Sequence, residues 1–101
     1  MSGEIGFAKP WFADGDPALV EELRRELAPG HVLRGTPVSA VARRQDRDDV
    51  LFALEDGSGR VAVVHLTWST ETDPAWPATD LFDDLESWRE AMRAEREEPG
   101  A

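Results

Sequence analysis

The sequence predicts an α+β domain in which an antiparallel sheet of three or four strands is flanked by an N-terminal and a C-terminal helix, in the order α-β-β-β-β-α. Apolar residues recur at helical spacing near both ends of the chain, whereas over residues 31–68 they alternate with polar residues at strand spacing. The connections between the alternating segments are short, which favours antiparallel neighbours. The length of 101 residues predicts a single domain, residues 1–101.

The N-terminal helix is expected to begin at Asp16 and Pro17, because aspartate caps free N–H groups and proline suits the first helical position. Pro29 and Gly30 would end it. Residues 1–15 are expected to form an ordered lead-in without a regular period, whose aromatic residues pack on the body of the domain. The following apolar residues recur on one helix face: Leu19, Val20, Leu23 and Leu27.

Four strands are predicted in the middle of the chain. The first is short, at residues 31–33, and the second has Val38, Ala40 and Ala42 on its buried face. The third covers residues 50–54 and the fourth runs from residue 60 to residue 68. The sequence Asp-Gly-Ser-Gly between these two is a strong hairpin signal. Apolar residues fall on both faces of the fourth strand, so we expect it to be central and covered on both sides.

A proline-containing loop is predicted over residues 69–79, followed by the C-terminal helix with Thr79 or Asp80 as its cap. The tail from Glu95 is polar and is expected to fray, over residues 95–101. The apolar stripe of this helix would be formed by Leu81, Leu85, Trp88 and Met92, with Phe82 beside it.

Charge restricts the classes of partner. The chain carries 21 acidic and 11 basic residues, a net charge of −10. Such a surface repels the phosphates of nucleic acid and anionic lipid and attracts a basic protein. The alternative is that the acidity only keeps the protein soluble.

Cysteine usage and the N-terminal sequence bear on chemistry and compartment. The chain has no cysteine and only two histidines, which show no ligand spacing, so no metal site and no cofactor are predicted. The N-terminal sequence has no secretory pattern and no apolar run is long enough to span a membrane. A cytoplasmic location is therefore expected.

Trp68 and Trp76 bracket the predicted loop that follows the central strand. Functional sites favour loops that a rigid scaffold holds, and paired aromatic residues with polar groups nearby are typical of binding hot spots. The alternative is that these two indoles fasten the loop to the sheet. The candidate binding residues are Trp68, Trp76, His65, Thr67, Glu71 and Arg43.

His65 is the candidate for acid–base chemistry, because histidine titrates near neutral pH and a neighbouring carboxylate can make it a base. Asp48 and Asp49 are its candidate partners if their strand end lies beside it. The alternative is a core histidine that is bonded to a backbone carbonyl.

Four arginines form a basic cluster in this acidic chain: Arg43, Arg44, Arg47 and Arg60. If Arg43 and Arg60 lie across neighbouring strands, they could grip an anionic ligand or the acidic helix of a second copy. The alternative is pairing with Glu55, Asp56 and the C-terminal acids, which contributes little at a surface. Arg43 and Arg44 could also blunt a free sheet edge, which favours a monomer over a homodimer formed through that edge.

Two segments resemble a family of small bacterial proteins of unknown function. They are the Asp-Asp-Val-Leu-Phe-Ala-Leu sequence at residues 48–54 and the segment that joins residues 65–68 to residues 74–77. The resemblance covers roughly residues 31–90. The family has no established activity, so the resemblance implies only that this strand and loop are the distinctive part of the chain.

The sequence thus favours a non-enzymatic protein-interaction domain that masks a basic partner. The alternative is a small enzyme or ligand-binding domain, with its site at residues 65–77 and His65 as the base.

Overall fold

A computed structural model describes residues 11–69, 72–73 and 76–96. The order of elements is β-α-β-β-β-β-α, so the predicted α+β class with an antiparallel sheet and two helices is confirmed. The sheet has five strands rather than the predicted three or four, and a strand precedes the first helix. The elements are β1 (Trp11–Ala13), α1 (Pro17–Glu26), β2 (Val38–Arg44), β3 (Asp49–Leu54), β4 (Val61–His65), β5 (Thr79–Phe82) and α2 (Leu85–Arg96).

The five strands form one sheet in which each strand pairs with the next along the chain, in the order β1-β2-β3-β4-β5. All four pairings are antiparallel. Short connections join β2 to β3 and β3 to β4, and an antiparallel hairpin needs only a few residues, whereas α1 lies between β1 and β2 and a longer loop joins β4 to β5. In the β3–β4 turn, Ser58 donates its backbone N–H and its hydroxyl to Asp56, as the hairpin prediction requires.

Each face of the sheet has its own core. On one face, Leu19 and Leu23 of α1 pack with Phe52 of β3 and Val64 of β4. On the other face, Trp88 of α2 packs in a cluster with Trp11, Leu51 and Val61. The inner strands β3 and β4 are therefore apolar on both faces. As predicted, β4 is covered on both sides, but it lies next to the edge strand β5 rather than at the centre of the sheet, and it ends at His65 rather than at residue 68.

The predicted beginning of α1 is confirmed. Asp16 accepts the N–H of Ala18 at 2.9 Å, and Pro17 occupies the first turn. The buried face of the helix includes two glutamates, Glu22 and Glu26, beside the expected leucines. Neither α1 nor α2 is long and apolar enough to cross a membrane, which holds for the described residues.

Three element predictions are wrong. Residues 31–33 are not a strand, because His31 Nδ1 accepts the N–H of Leu33 at 3.0 Å and closes a local turn. The lead-in contains β1, which pairs with β2. The C-terminal helix does not begin near Leu81, because residues 79–82 instead pair with β4 as a fifth strand. Asp84 then caps α2 by accepting the N–H of Ser87 at 2.7 Å.

The predicted single buried face of β2 is also wrong. The register shifts between Ala40 and Ala42, where the strand contains a bulge. The bulge turns the later residues over, because one extra residue changes the face to which side chains point. Val38 and Ala40 therefore pack on the α1 side, and Ala42 packs on the α2 side.

Arg43 and Arg44 lie on β2, between β1 and β3. They therefore do not blunt a free edge of the sheet, contrary to the prediction. The predicted tail lies beyond the described residues from residue 97 onward, and α2 continues to Arg96. Residues 1–10 of the predicted lead-in also lie outside the described part.

Candidate functional site

The β4–β5 loop, residues 66–78, carries most of the predicted binding residues. It leaves the sheet after His65 and returns at Thr79. Two buried side chains from an earlier part of the chain hold this loop by hydrogen bonds: Glu26 at the end of α1 and His31 in the following turn. Sequence reasoning assigned neither of them to the loop.

Glu26 holds the first half of the loop. Its side chain is fully buried, with 0% relative exposure. One carboxylate oxygen, Oε1, accepts the N–H of Thr67 at 2.8 Å and its hydroxyl at 3.1 Å. The other oxygen, Oε2, accepts the N–H of Trp68 at 2.7 Å. A single carboxylate thus satisfies three donors of two consecutive residues, an arrangement that fixes the backbone at this point.

Trp68 adopts a backbone φ of 61°. This left-handed region is uncommon for a bulky residue. Both N–H groups that lead into this conformation, those of Thr67 and Trp68, are bonded to Glu26. The hydrogen bonds to the buried carboxylate therefore offset the strain of this backbone conformation at Trp68, whose side chain is 46% exposed.

His31 holds the second half of the loop. Its Nδ1 accepts the N–H of Leu33, so the ring proton is on Nε2, which donates to the carbonyl of Pro77 at 2.9 Å. Thr79 adds a second hydrogen bond to the same carbonyl, from its hydroxyl at 3.0 Å. Pro77 is itself fully buried, and the Trp76–Pro77 peptide bond is cis. The loop is thereby anchored immediately before β5.

The four tryptophans divide into two pairs. Trp11 and Trp88 are 4% and 3% exposed and make an edge-to-face contact with ring centroids 5.1 Å apart. Trp68 and Trp76 are 46% and 47% exposed. Each of these two loop tryptophans is therefore nearly half exposed, while Glu26 and His31 make the polar contacts that hold the loop.

His65 and Asp49 are directly opposite each other on β4 and β3. The Nδ1 of His65 lies 2.8 Å from Oδ1 of Asp49. An ionised carboxylate only accepts, so Nδ1–H is the donor and Nε2 is left with a free lone pair. The side chain of His65 is 49% exposed. The structure therefore brings together the predicted histidine and one of its two candidate carboxylates.

The other predicted residues lie in different surroundings. Asp48 is exposed, and its backbone carbonyl, not its carboxylate, binds the β4–β5 loop by accepting the N–H of Leu66 at 3.0 Å. Thr67 and the adjacent Trp68 both donate hydrogen bonds to Glu26. Glu71 lies outside the described residues.

The predicted arginine cluster is not assembled as one site. Arg43 is opposite Phe12 and Val50, whereas Arg60 lies in the β3–β4 turn and pairs with Asp56 at 3.3 Å. Arg44 binds both carboxylate oxygens of Asp46, at 2.8 and 2.9 Å.

Ion pairs also reach the remaining two arginines, Arg43 to Asp14 at 4.0 Å and Arg47 to Asp49 at 3.9 Å. An open groove of about 540 Å³ beside Phe12 is lined by three of these arginines, but their charges are compensated locally. Pairing with nearby carboxylates fits these contacts better than an anion site does, but of the partners that the sequence predicted these pairs include Asp56 alone.

Burial, followed by the neighbouring carboxyl of Glu22, raises the pKa of Glu26 above its ordinary value, although the N–H groups of Thr67 and Trp68 act against the shift. Burial also acts to raise the pKa of Glu22, but the Glu26 carboxyl and Arg25 outweigh it and lower that pKa. Glu22 Oε1 binds Arg25 at 2.6 Å, and Oε2 is buried without a hydrogen-bond partner among the described residues. Because Glu22 is a neighbour of Glu26 and its Oε2 lacks a donor, the negative charge of Glu22 disfavours a second negative charge on Glu26.

Glu26 could have been found from the sequence by its spacing. It follows Leu19 by seven positions and Leu23 by three, which places a carboxylate on the apolar face of α1. A buried carboxylate needs donors, so this position indicates a distant partner. The role of His31 has no comparable signal, because His31 lies after the end of α1, where no helical or strand period indicates which side chains are buried.

No group of three or more histidine, aspartate or glutamate side chains is placed to hold a metal ion in the part of the chain that the structure describes. Comparison with models of known families, with curated proteins and with solved structures found no match to this chain. The resemblance carried by residues 48–54, 65–68 and 74–77 therefore stays a prediction.

Replacing Glu26 by alanine should destabilise the protein by about 2 kcal/mol, because two backbone N–H groups and one hydroxyl lose their acceptor. Urea unfolding measures this difference. The matched control is Glu21→Ala, on an exposed position of the same helix, which should change stability by less than about 0.5 kcal/mol. Equal stabilities for the two variants would contradict the role given to Glu26.

The raised pKa of Glu26 predicts a pH dependence of stability. Above the ordinary glutamate pKa of about 4.3, the unfolded chain loses this proton while the folded chain keeps it. The folded state then binds more protons, so the stability that Glu26 contributes is lost as pH rises through its folded pKa. The lowered pKa of Glu22 acts in the opposite sense and below the ordinary value, outside this window.

Glu26→Gln, which cannot titrate, isolates the effect. The free energy of unfolding of the wild type, measured relative to this variant in urea, should decrease as pH is raised above the ordinary glutamate pKa of about 4.3, until Glu26 has lost its proton in the folded state as well. A difference that is constant or increases over this range would show that the pKa of Glu26 is not raised.

Proposed function

We propose that the chain is a non-enzymatic protein-interaction domain that binds a basic partner through Trp68 and Trp76 of the β4–β5 loop. The observation that carries the proposal is the exposure of these two indoles, 46% and 47%, on a loop that is fastened from beneath by Glu26 and His31. Tryptophan on a pre-organised surface is the residue type that contributes most to binding hot spots.

Charge supports a basic partner. The 28 residues between Arg60 and Arg89 contain six acidic residues and no lysine or arginine. This stretch includes the whole β4–β5 loop and β5. Lysine or arginine side chains can contact the faces of exposed indoles by cation–π interaction. Acidic residues around the indoles would steer such a partner into place and mask its basic surface.

This proposal places the protein in the cytoplasm as a monomer. The chain has no cysteine, which is usual where thiols are kept reduced.

The double variant Trp68→Ala/Trp76→Ala should lose a partner that the wild type retains from a lysate of the source organism. Loss of two hot-spot tryptophans is expected to weaken binding by at least about 100-fold. Binding of the wild type should also weaken as salt is raised, because exposed charges are screened. Affinity capture at low and high salt, with circular dichroism of each variant, makes the measurement.

Phe12→Ala is the matched control, because Phe12 is an exposed aromatic residue on β1, at the other end of the sheet. It should retain the partner. A partner retained equally by the wild type and the double variant would remove the loop from the proposal. An affinity that does not change with salt would remove the basic partner.

A small enzyme or ligand-binding domain is a second candidate, and the 2.8 Å contact between His65 and Asp49 favours it. A carboxylate on Nδ1 orients the ring and leaves Nε2 to accept a proton or a ligand donor. Screening of small ligands by NMR of the His65 ring tests this function. Binding that shifts the ring signals and is lost in Asp49→Asn would support it, whereas a screen without any shift would count against it.

A further inference from the structure

The outer edge of β5 presents backbone groups without a partner. His65 donates its N–H to the carbonyl of Ala78 at 2.9 Å, so these two residues form a hydrogen-bonded pair. Hydrogen-bonded and non-bonded pairs alternate along an antiparallel ladder. With the observed register, Asp80 and Phe82 face β4 with their backbone groups. The N–H and C=O groups of Thr79 and Leu81 therefore point away from the sheet.

Nothing in the described part of the chain pairs with that edge, since β5 is the last strand of the sheet and no backbone hydrogen bond reaches the N–H of Thr79 or Leu81. Asp80 and Leu81 are exposed. Two outward residues offer two donors and two acceptors, which is enough for a short added strand. The edge begins three residues after the exposed Trp76.

The charges at this edge decide between two occupants. A second copy that paired antiparallel through its own β5, in the register centred on Asp80, would place the Asp80 side chains of the two copies opposite each other. Like charges that face each other across strands are destabilising. An extended segment with lysine or arginine would instead meet opposite charge, and the exposed Trp76 lies only three residues before this edge along the chain.

We propose that β5 binds an extended, lysine- or arginine-containing segment of a protein partner as a sixth strand of the sheet. Backbone hydrogen bonds to Thr79 and Leu81 give the register, and basic side chains contact Asp80 and the Trp76 indole. The inference rests on the proposed protein-binding function and adds to it the binding mode and the chemistry of the partner.

A blocked octapeptide of alternating lysine and valine is the probe. Titration followed by NMR should show binding, and the amide protons of Thr79 and Leu81 should exchange at least about tenfold more slowly at saturation, since each becomes hydrogen-bonded. The same peptide with glutamate in place of lysine should not bind. Binding that leaves these two amides unprotected, or equal binding of the glutamate peptide, would overturn the proposal, as would no binding of the lysine peptide at millimolar concentration.

Leu81→Pro removes the outward N–H without removing a bond to β4, and proline is tolerated on edge strands. It should weaken binding of the lysine peptide by at least about tenfold, an effect in the range expected for a lost hydrogen bond. Leu81→Ala is the matched control, because it shortens the side chain but keeps the N–H, and it should bind within about threefold of the wild type. Equal affinities of the two variants would overturn the proposal.

If Leu81→Pro does not fold, the test uses a modified ligand instead. The lysine peptide is N-methylated at its four central residues, so that it keeps its positive charge but loses the backbone N–H groups that strand addition needs. It should not bind, and binding at full affinity would overturn strand addition. If sedimentation shows that the wild type is a dimer and that Leu81→Pro is a monomer, the occupant of the β5 edge is a second copy of the chain and not a basic segment.

The two proposals fail separately. If lysate capture depends on Trp68 and Trp76 but is unchanged in Leu81→Pro, protein binding stands and strand addition fails. If the lysine peptide protects Thr79 and Leu81 while lysate capture ignores both tryptophans, the edge binds but the loop does not.

Discussion

The hydrogen bonds that the Glu26 carboxylate accepts from Thr67 and Trp68 are the interaction on which the position of the β4–β5 loop depends. A fully buried acid at the end of α1 must find donors, and it finds them in Thr67 and Trp68, 41 and 42 residues away. These hydrogen bonds connect α1, which lies on one face of the sheet, to the loop that follows β4. They also impose a backbone conformation that is uncommon for tryptophan. Burial raises the pKa of Glu26, which means that the ionised side chain is less stable here than in water. Such a cost is often found where a protein retains an uncommon backbone conformation, as at Trp68.

A second buried polar contact, from His31 to Pro77, completes the arrangement. Because the two ends of the β4–β5 loop are held by polar groups, its tryptophans are not needed as anchors, and they differ in this from Trp11 and Trp88, which form part of a core. The loop leads directly into β5, the edge strand whose outward backbone groups are open. Indoles, open backbone groups and acidic side chains thus occur in one continuous stretch of chain, which is the reason for proposing that one partner segment uses all three.

Those parts of the fold that depend on local sequence could be predicted. Asp16 and Pro17 mark the start of α1, and the Asp-Gly-Ser-Gly turn marks the β3–β4 hairpin, because each acts on its own neighbours. β5 could not be predicted, since Leu81, Leu85 and Trp88 also fit a helical stripe and only pairing with β4 decides between the two structures. The bulge between Ala40 and Ala42 likewise reflects the strands on either side of β2. At the site, the contact of His65 with Asp49 followed from strand pairing, whereas the long-range partners of Glu26 and His31 did not.

Solvent exposure of the four indoles tests the central claim most directly. Fluorotryptophan labelling gives one ¹⁹F signal for each indole, and single Trp→Phe variants assign them. A soluble paramagnetic probe should broaden the signals of Trp68 and Trp76 and leave those of Trp11 and Trp88 sharp, and in Glu26→Ala the Trp68 signal should move towards the unfolded position. Signals of Trp68 and Trp76 as protected as that of Trp11, or a Trp68 signal unchanged in Glu26→Ala, would contradict the account that buried polar contacts hold the loop and leave its indoles free.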